Sequence, residues 1–230
     1  VDPVEVVQSH GEVAAAVEVG KKVEEEEAKV VEEEEKNMLF VSDYSNHRVQ
    51  QWDVNTRSFV RNFGSGQGAG LGQLRNPNRT ARYNPSRNPS DAVLFVAENG
   101  NSRVSEFKVS TGEHLRSFGS QGANPSQFSA LCNIAISTSS GTALMYVADQ
   151  NNNRVQVFKV ENFEYVRKID CKNPWGIALL LAANGDELLF ISELNQNRVK
   201  VCNALTGAEL RIIGSGPGNG PTQLSNPYDL

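Results

Sequence analysis

Four stretches of the chain repeat one order of apolar and polar positions. Each opens on a short, nearly continuous apolar run: LFVSD from Leu39, LFVAE from Leu94, MYVAD from Met145 and LFISE from Leu189. Such a run predicts a strand buried on both faces. A polar turn follows, then an alternating segment. RVQVFKV (Arg154–Val160) sets Phe158 and Val160 on one face and Val155 and Val157 on the other. A third, more polar strand is predicted at EYVRKI (Glu164–Ile169) and its equivalents. STGE at Ser110–Glu113 and TGA at Thr206–Ala208 mark the tight turns before it. A fourth strand follows a proline, most clearly in NPWGIALLL at Asn173–Leu181. Each unit thus predicts four strands in 44–55 residues, the size of a propeller blade.

Aligned on Arg48, Arg103, Arg154 and Arg198, the polar turns fall into columns. Five positions earlier stand Asp43, Glu98, Asp149 and Glu193; two earlier stand Asn46, Asn101, Asn152 and, as a departure, Gln196. Thirteen later comes a second basic column, Arg61, Arg116, Arg167 and Arg211. The segment between these columns keeps its length in every copy, although the first arginines are 55, 51 and 44 positions apart. A constant block joined by elastic loops is what a stacked repeat fold requires.

DYSNHRV at Asp43–Val49 resembles the D-x-x-N-x-R-V form of the NHL-repeat family. FGSGQGAGLGQLRNP (Phe63–Pro77) and IGSGPGNGPTQLSNP (Ile213–Pro227) are similar to that family's linkers between blades. The resemblance covers residues 37–230 and implies an all-β propeller, most often of six blades, of which four four-stranded blades are recognisable here. Their expected limits are 37–64, 72–119, 125–170 and 173–214, with another starting at 223–230. The chain is therefore read as part of a longer protein. Residues 1–36 form an acidic low-complexity segment, with a possible inner strand at Pro3–Gln8 or Glu12–Val19. Among relatives, NHL domains of tripartite-motif proteins bind RNA or serve ubiquitin ligases. Zinc modules of the RING and B-box kind need Cys/His clusters that this sequence lacks. The amidating lyases among NHL-like propellers use metal-bound histidines, and His10, His47 and His114 make no matching set.

Four copies of one acid–Asn–Arg cluster argue for architecture, because a catalytic site is usually single. Asp43, Asn46, Arg48, Glu98, Asn101, Arg103, Asp149, Asn152, Arg154, Glu193, Gln196 and Arg198 are accordingly read as a structural motif. The glycine run at Gly64–Gly70 is followed by a loop, not by the helix a phosphate site needs. Cys132, Cys171 and Cys202 fall in different repeat positions and read as small buried hydrophobes. Their sparse, odd count fits a reducing, cytoplasmic setting. No apolar run is long enough to span a membrane. No enzyme activity, cofactor, metal or small-molecule substrate is expected.

Charge divides the chain. Residues 1–36 carry twelve acids and four lysines, and the remainder 15 acids against 18 lysines and arginines. In an antiparallel meander the motif turns and the glycine linkers share one face. That loop face should display Tyr44, His47, Asn99, Asn151, Asn153, Asn195 and Asn197 to a protein or peptide partner. The alternative partner is single-stranded RNA, through Arg75, Arg79, Arg82 and Arg87 in RNPNRTARYNPSR. Thr80 and Arg82 take apolar slots of the inner strand there. The second basic column is read as charge guarding the outer blade edge, or alternatively as a rim that contacts phosphate.

Overall fold

The computed structural model describes residues 37–230 except Arg87. The acidic segment and its two possible strands lie outside the described residues, as does Arg87.

The alternation of apolar positions yields antiparallel sheets in chain order. The first contains β1 (Met38–Asp43), β2 (Arg48–Asp53) and β3 (Ser58–Phe63). The second contains β4 (Pro77–Tyr83), β5 (Val93–Glu98), β6 (Arg103–Lys108) and β7 (His114–Phe118). A short parallel pair, β8 (Ser120–Gln121) and β9 (Gln127–Phe128), sits in the linker that follows. The third sheet is β10 (Leu131–Ser137), β11 (Leu144–Asp149), β12 (Arg154–Lys159) and β13 (Tyr165–Asp170). The fourth is β14 (Pro174–Leu181), β15 (Glu187–Glu193), β16 (Arg198–Asn203) and β17 (Glu209–Ile213). The fold is all-β and blade-like. Among the described residues the first sheet has three strands, not the four expected of each unit, because its inner strand would have to come from outside them.

The register repeats with the sequence columns. Asp43 pairs with Arg48, Glu98 with Arg103, Asp149 with Arg154 and Glu193 with Arg198. The pairing of the last two strands slips at one column in each of the four sheets: Gln51/Trp52, Glu106/Phe107, Val157/Phe158 and Val201/Cys202. A bulge there bends the outer strand and re-aims the residue beside it. β4 pairs regularly with β5 from Arg79 to Tyr83, so Thr80 and Arg82 do not prevent the inner strand from forming.

The two faces of the second and third sheets feed different cores, as the alternation requires. Val155 and Val157 pack with Ile177, Leu189 and Ile191 of the fourth sheet. Phe158 and Val160 pack with Phe95, Ala97 and Val104 of the second. Val49, Phe63 and Leu74 pack with Leu94, Val96 and Phe107. The three cores therefore lie between successive sheets, which stack face to face. β10 lies against both β4 and β14, so the first strands of these sheets are neighbours on the inner side.

Candidate binding cleft and the turns that frame it

The motif turns of the second and third sheets clamp the linkers that lead into their own sheets. Glu98 is fully buried, and its Oε2 accepts the Arg75 backbone N–H at 3.0 Å. Asn101 donates to the Gly68 carbonyl at 2.7 Å. Arg103 donates to Glu98 at 2.7 Å and to the carbonyls of Ala69 and Gln73, each at 2.8 Å. The third sheet repeats the set. Asp149 accepts from Ser129 N at 2.7 Å, Asn152 donates to Gly122 O at 2.8 Å, and Arg154 reaches Asn124 O and Gln127 O at 2.9 and 2.8 Å. Turns and linkers thus meet on one face. The fork of guanidinium donors suits the task, since a linker turned back on itself presents several carbonyls to one point.

The linkers are shaped to be held. Gln67 bridges Leu74, Gln121 pairs with Phe128, and Pro217 bridges Leu224, all in parallel sense. Their first glycines, Gly64, Gly119 and Gly214, have φ of 101°, 104° and 103°. A Cβ on Gly119 would lie 2.6 Å from the Phe128 ring, so that column needs glycine for conformation and for space.

The junction before the fourth sheet explains the one departure in the motif. Only Cys171–Asn173 separate β13 from β14, and no glycine loop is present. Glu193 still accepts from Lys172 N at 2.6 Å and is bonded by Arg198. The asparagine position has no loop carbonyl to reach, and among the described residues Gln196 there bonds only the Asn195 carbonyl, at 3.5 Å. A groove of about 380 Å³ lined by Asn152, Lys172, Glu193, Arg198 and Lys200 occupies the loop's place.

The residue before each motif arginine is left-handed: His47, Ser102, Asn153 and Asn197 have φ of 57°, 51°, 54° and 53°. Three of these side chains accept the N–H of the asparagine in a following Asn-Pro pair. His47 Nδ1 takes Asn76 N at 3.1 Å, Asn153 takes Asn173 N at 2.9 Å, and Asn197 takes Asn226 N at 2.8 Å. His47, Asn153 and Asn197 therefore serve joints within the chain. Tyr44 stands out at 45% exposure, and Asn195 and Asn151 are also at the surface. Asn151 bonds Ser129 Oγ at 3.4 Å, and Asn99 bonds the Leu131 carbonyl at 3.3 Å.

Tyr44 and Asn99 meet Arg79 in a cleft of about 790 Å³. Its walls include the inner side of β1 at Phe40–Ser42, then Asn78 and Thr80 of β4, and the rings of Trp175 and Tyr228. The two rings lie 4.2 Å apart between centroids. The sequence pattern held a signal for them: Asn78, Trp175 and Tyr228 each follow an Asn-Pro pair. Among the described residues β1 pairs only with β2, and residues 40–42 on its inner side line the cleft. Arg79 is ion-paired with Asp229, which also accepts from Asn133 at 3.4 Å.

Arg79 and Arg82 lie on opposite faces of β4 by the alternation of its pairing. The Arg75 side chain packs over Gly100. The second basic column forms joints at the outer strands. Arg61 donates to Ser110 O, Arg116 to Glu106 and to Val160 O, and Arg167 to Ala204 O, each arginine reaching the following sheet.

Titration behaviour follows burial and pairing. The Asn46 and Arg48 hydrogen bonds hold Asp43 below the usual aspartate range. Burial pushes the Cys132 thiol up to about 12 and raises Cys171 and Cys202 as well, so all three stay protonated and poorly nucleophilic at neutral pH. Among the described residues no three His, Cys, Asp or Glu side chains are grouped to hold a metal. No helix there is long and apolar enough to cross a membrane.

No family model matches the chain, and no curated protein matches it. Among solved structures it is similar in shape to hydrazine synthase of Kuenenia stuttgartiensis, with a TM-score of 0.54 and 19% identity over 76% of this chain. The match spans 45% of that protein's chain. At this identity the likeness speaks to fold alone, and it agrees with a stack of antiparallel blades.

Proposed function

We propose that the chain is a non-catalytic binding platform, a propeller of the NHL-repeat type that takes an extended peptide of a protein partner. The observation that carries this reading is the cleft between β1 and the inner strands. It combines the β1 edge at Phe40–Ser42, which no described strand pairs, the amides of Asn78 and Asn99, and the rings of Tyr44, Trp175 and Tyr228. An open edge offers main-chain hydrogen bonds to an added strand, and rings beside it supply pockets for alternate side chains. Tyrosine and tryptophan are the residues that most often dominate such contacts.

The test is selection of binding peptides from a random display library, followed by titration with Tyr44→Ala and Trp175→Ala chains. Selected peptides should lose at least about tenfold in affinity on one of the two substitutions, or about 1.4 kcal/mol. Peptides that bind equally well to both variants would overturn the assignment of the cleft. Tight binding of single-stranded RNA, lost steeply with salt, would replace the partner class.

A further inference from the structure

The junction between the third and fourth sheets differs from its neighbours in the interior of the chain. Residues 64–74 stand between β3 and Arg75, and residues 119–128 between β7 and Ser129, but Cys171 alone stands between β13 and Lys172. Arg75, Ser129 and Lys172 are equivalent, since Glu98, Asp149 and Glu193 each accept their backbone N–H. The two long linkers bring oxygens to the motif arginines: Ala69 O and Gln73 O to Arg103, Asn124 O and Gln127 O to Arg154. In the third sheet Gln156 donates to the same turn, at 2.7 Å from Gln127 O.

The fourth sheet keeps the donors without such a linker. Arg198 Nε is on Glu193, and among the described residues its two Nη groups bond nothing. Its side chain is 33% exposed, against 15% for Arg103 and 8% for Arg154. Lys200 stands where Gln156 stands in the third sheet, two positions after the motif arginine. Lys172, exposed on the short junction, adds a third cation, and all three line the groove of about 380 Å³. The acids around it are already matched. Glu193 is paired with Arg198, Asp170 with Lys168 at 2.9 Å and Glu209 with Lys200 at 2.9 Å. The charge of Lys172 is left over, beside a guanidinium edge that two other sheets fill with main-chain oxygens.

We infer that this groove is a binding site for a carboxylate carried on a peptide segment of a protein partner. The carboxylate lies on the Nη edge of Arg198 with Lys172 beside it, and carbonyls of the same segment stand in for those of a linker. A planar pair of oxygens suits the guanidinium fork. One surplus positive charge matches one carboxylate, whereas a phosphate dianion would set a second negative charge beside the fully buried Glu193. The peptide source follows from the second and third sheets, where main chain fills the corresponding place.

The test is a titration of the nitrogen-15-labelled chain followed by NMR at constant ionic strength. The probes are the end-blocked peptide Gly-Gly-Glu-Gly-Gly, its glutamine counterpart and acetate. The amide signals of Lys172 and Arg198 should shift saturably with the glutamate peptide, and the glutamine peptide should bind at least about tenfold more weakly. Arg198→Lys should weaken the glutamate peptide about tenfold, because an ammonium does not reproduce the fork. Lys172→Gln, at an exposed site, should weaken it severalfold, and the dispersed spectrum of each variant shows that it is folded. Equal binding of the glutamine peptide, shifts that both variants leave unchanged, or no saturable shift at these signals would overturn the inference. Acetate that binds as tightly as the peptide would overturn the peptide source and assign the groove to a free small acid. Neither Lys172 nor Arg198 lines the cleft, so this site and the cleft can fail separately.

Discussion

Truncating Arg154 to alanine deletes three hydrogen bonds at once: to Asp149 at 2.8 Å, to Asn124 O at 2.9 Å and to Gln127 O at 2.8 Å. The side chain is 8% exposed and its partner carboxylate not at all. Breaking a buried ion pair costs about 3–5 kcal/mol when the surviving charge is left uncompensated. Asp149 would keep Ser129 N at 2.7 Å and Asn152 at 2.9 Å, so the low end applies, about 3 kcal/mol. Arg48 supplies the internal control. It is 38% exposed and bonds only Asp43 among the described residues, at 2.9 Å. Its truncation should cost less than about 1 kcal/mol, the range of exposed pairs. Urea unfolding at high dilution, with midpoint and slope compared for the three chains, measures both. Equal losses for the two variants, or a loss below about 1 kcal/mol for Arg154→Ala, would refute the view that the arginine works by clamping a linker.

Other expectations follow from single sites. Ala130 is held at φ 61°, where Asn76, Asn173 and Asn226 stand in the other units; Ala130→Asn should therefore stabilise the chain by about 0.5–1 kcal/mol in the same assay. The Tyr146 hydroxyl donates to Ala204 O at 2.9 Å, and Arg167 bonds that carbonyl too, so Tyr146→Phe should cost only about 1 kcal/mol. Burial lowers the His114 pKa below its ordinary 6.5, so the unfolded chain binds its proton first as pH falls. Stability should be highest above pH 6.5 and decline below it, and His114→Gln should remove that part of the slope in thermal melts. Cys132 and Cys171 should resist thiol reagents in the folded chain and react on addition of urea, whereas rapid labelling in buffer would contradict their burial.

Much of each sheet was legible because its causes are local. The Asp43–Arg48 spacing and the apolar runs before it place β1 and β2, and the same pattern places six further strands. That turns and linkers share a face also followed, from antiparallel order alone. The ownership of contacts did not. Arg103 grips Ala69 and Gln73 across a junction, a relation between sheets that alternation within one sheet does not encode. Asn153 and Asn197 read as polar surface because a left-handed residue and an exposed one draw on the same amino acids. Gln196 read as a lapse in the motif until the short junction before it showed that the loop it would hold is missing. The cleft was the least legible, since Trp175 and Tyr228 meet Tyr44 only when the inner strands are assembled.

The clamps also set a timetable for synthesis. Arg103 reaches Ala69 over 34 positions, and Arg154 reaches Asn124 over 30. A linker leaving the ribosome therefore stays unlocked only until about one more blade has emerged, and each addition fastens what precedes it. Domains made this way consolidate from the N-terminus onward. The costly wait for distant partners that slows many β proteins is divided into short, equal instalments along the chain.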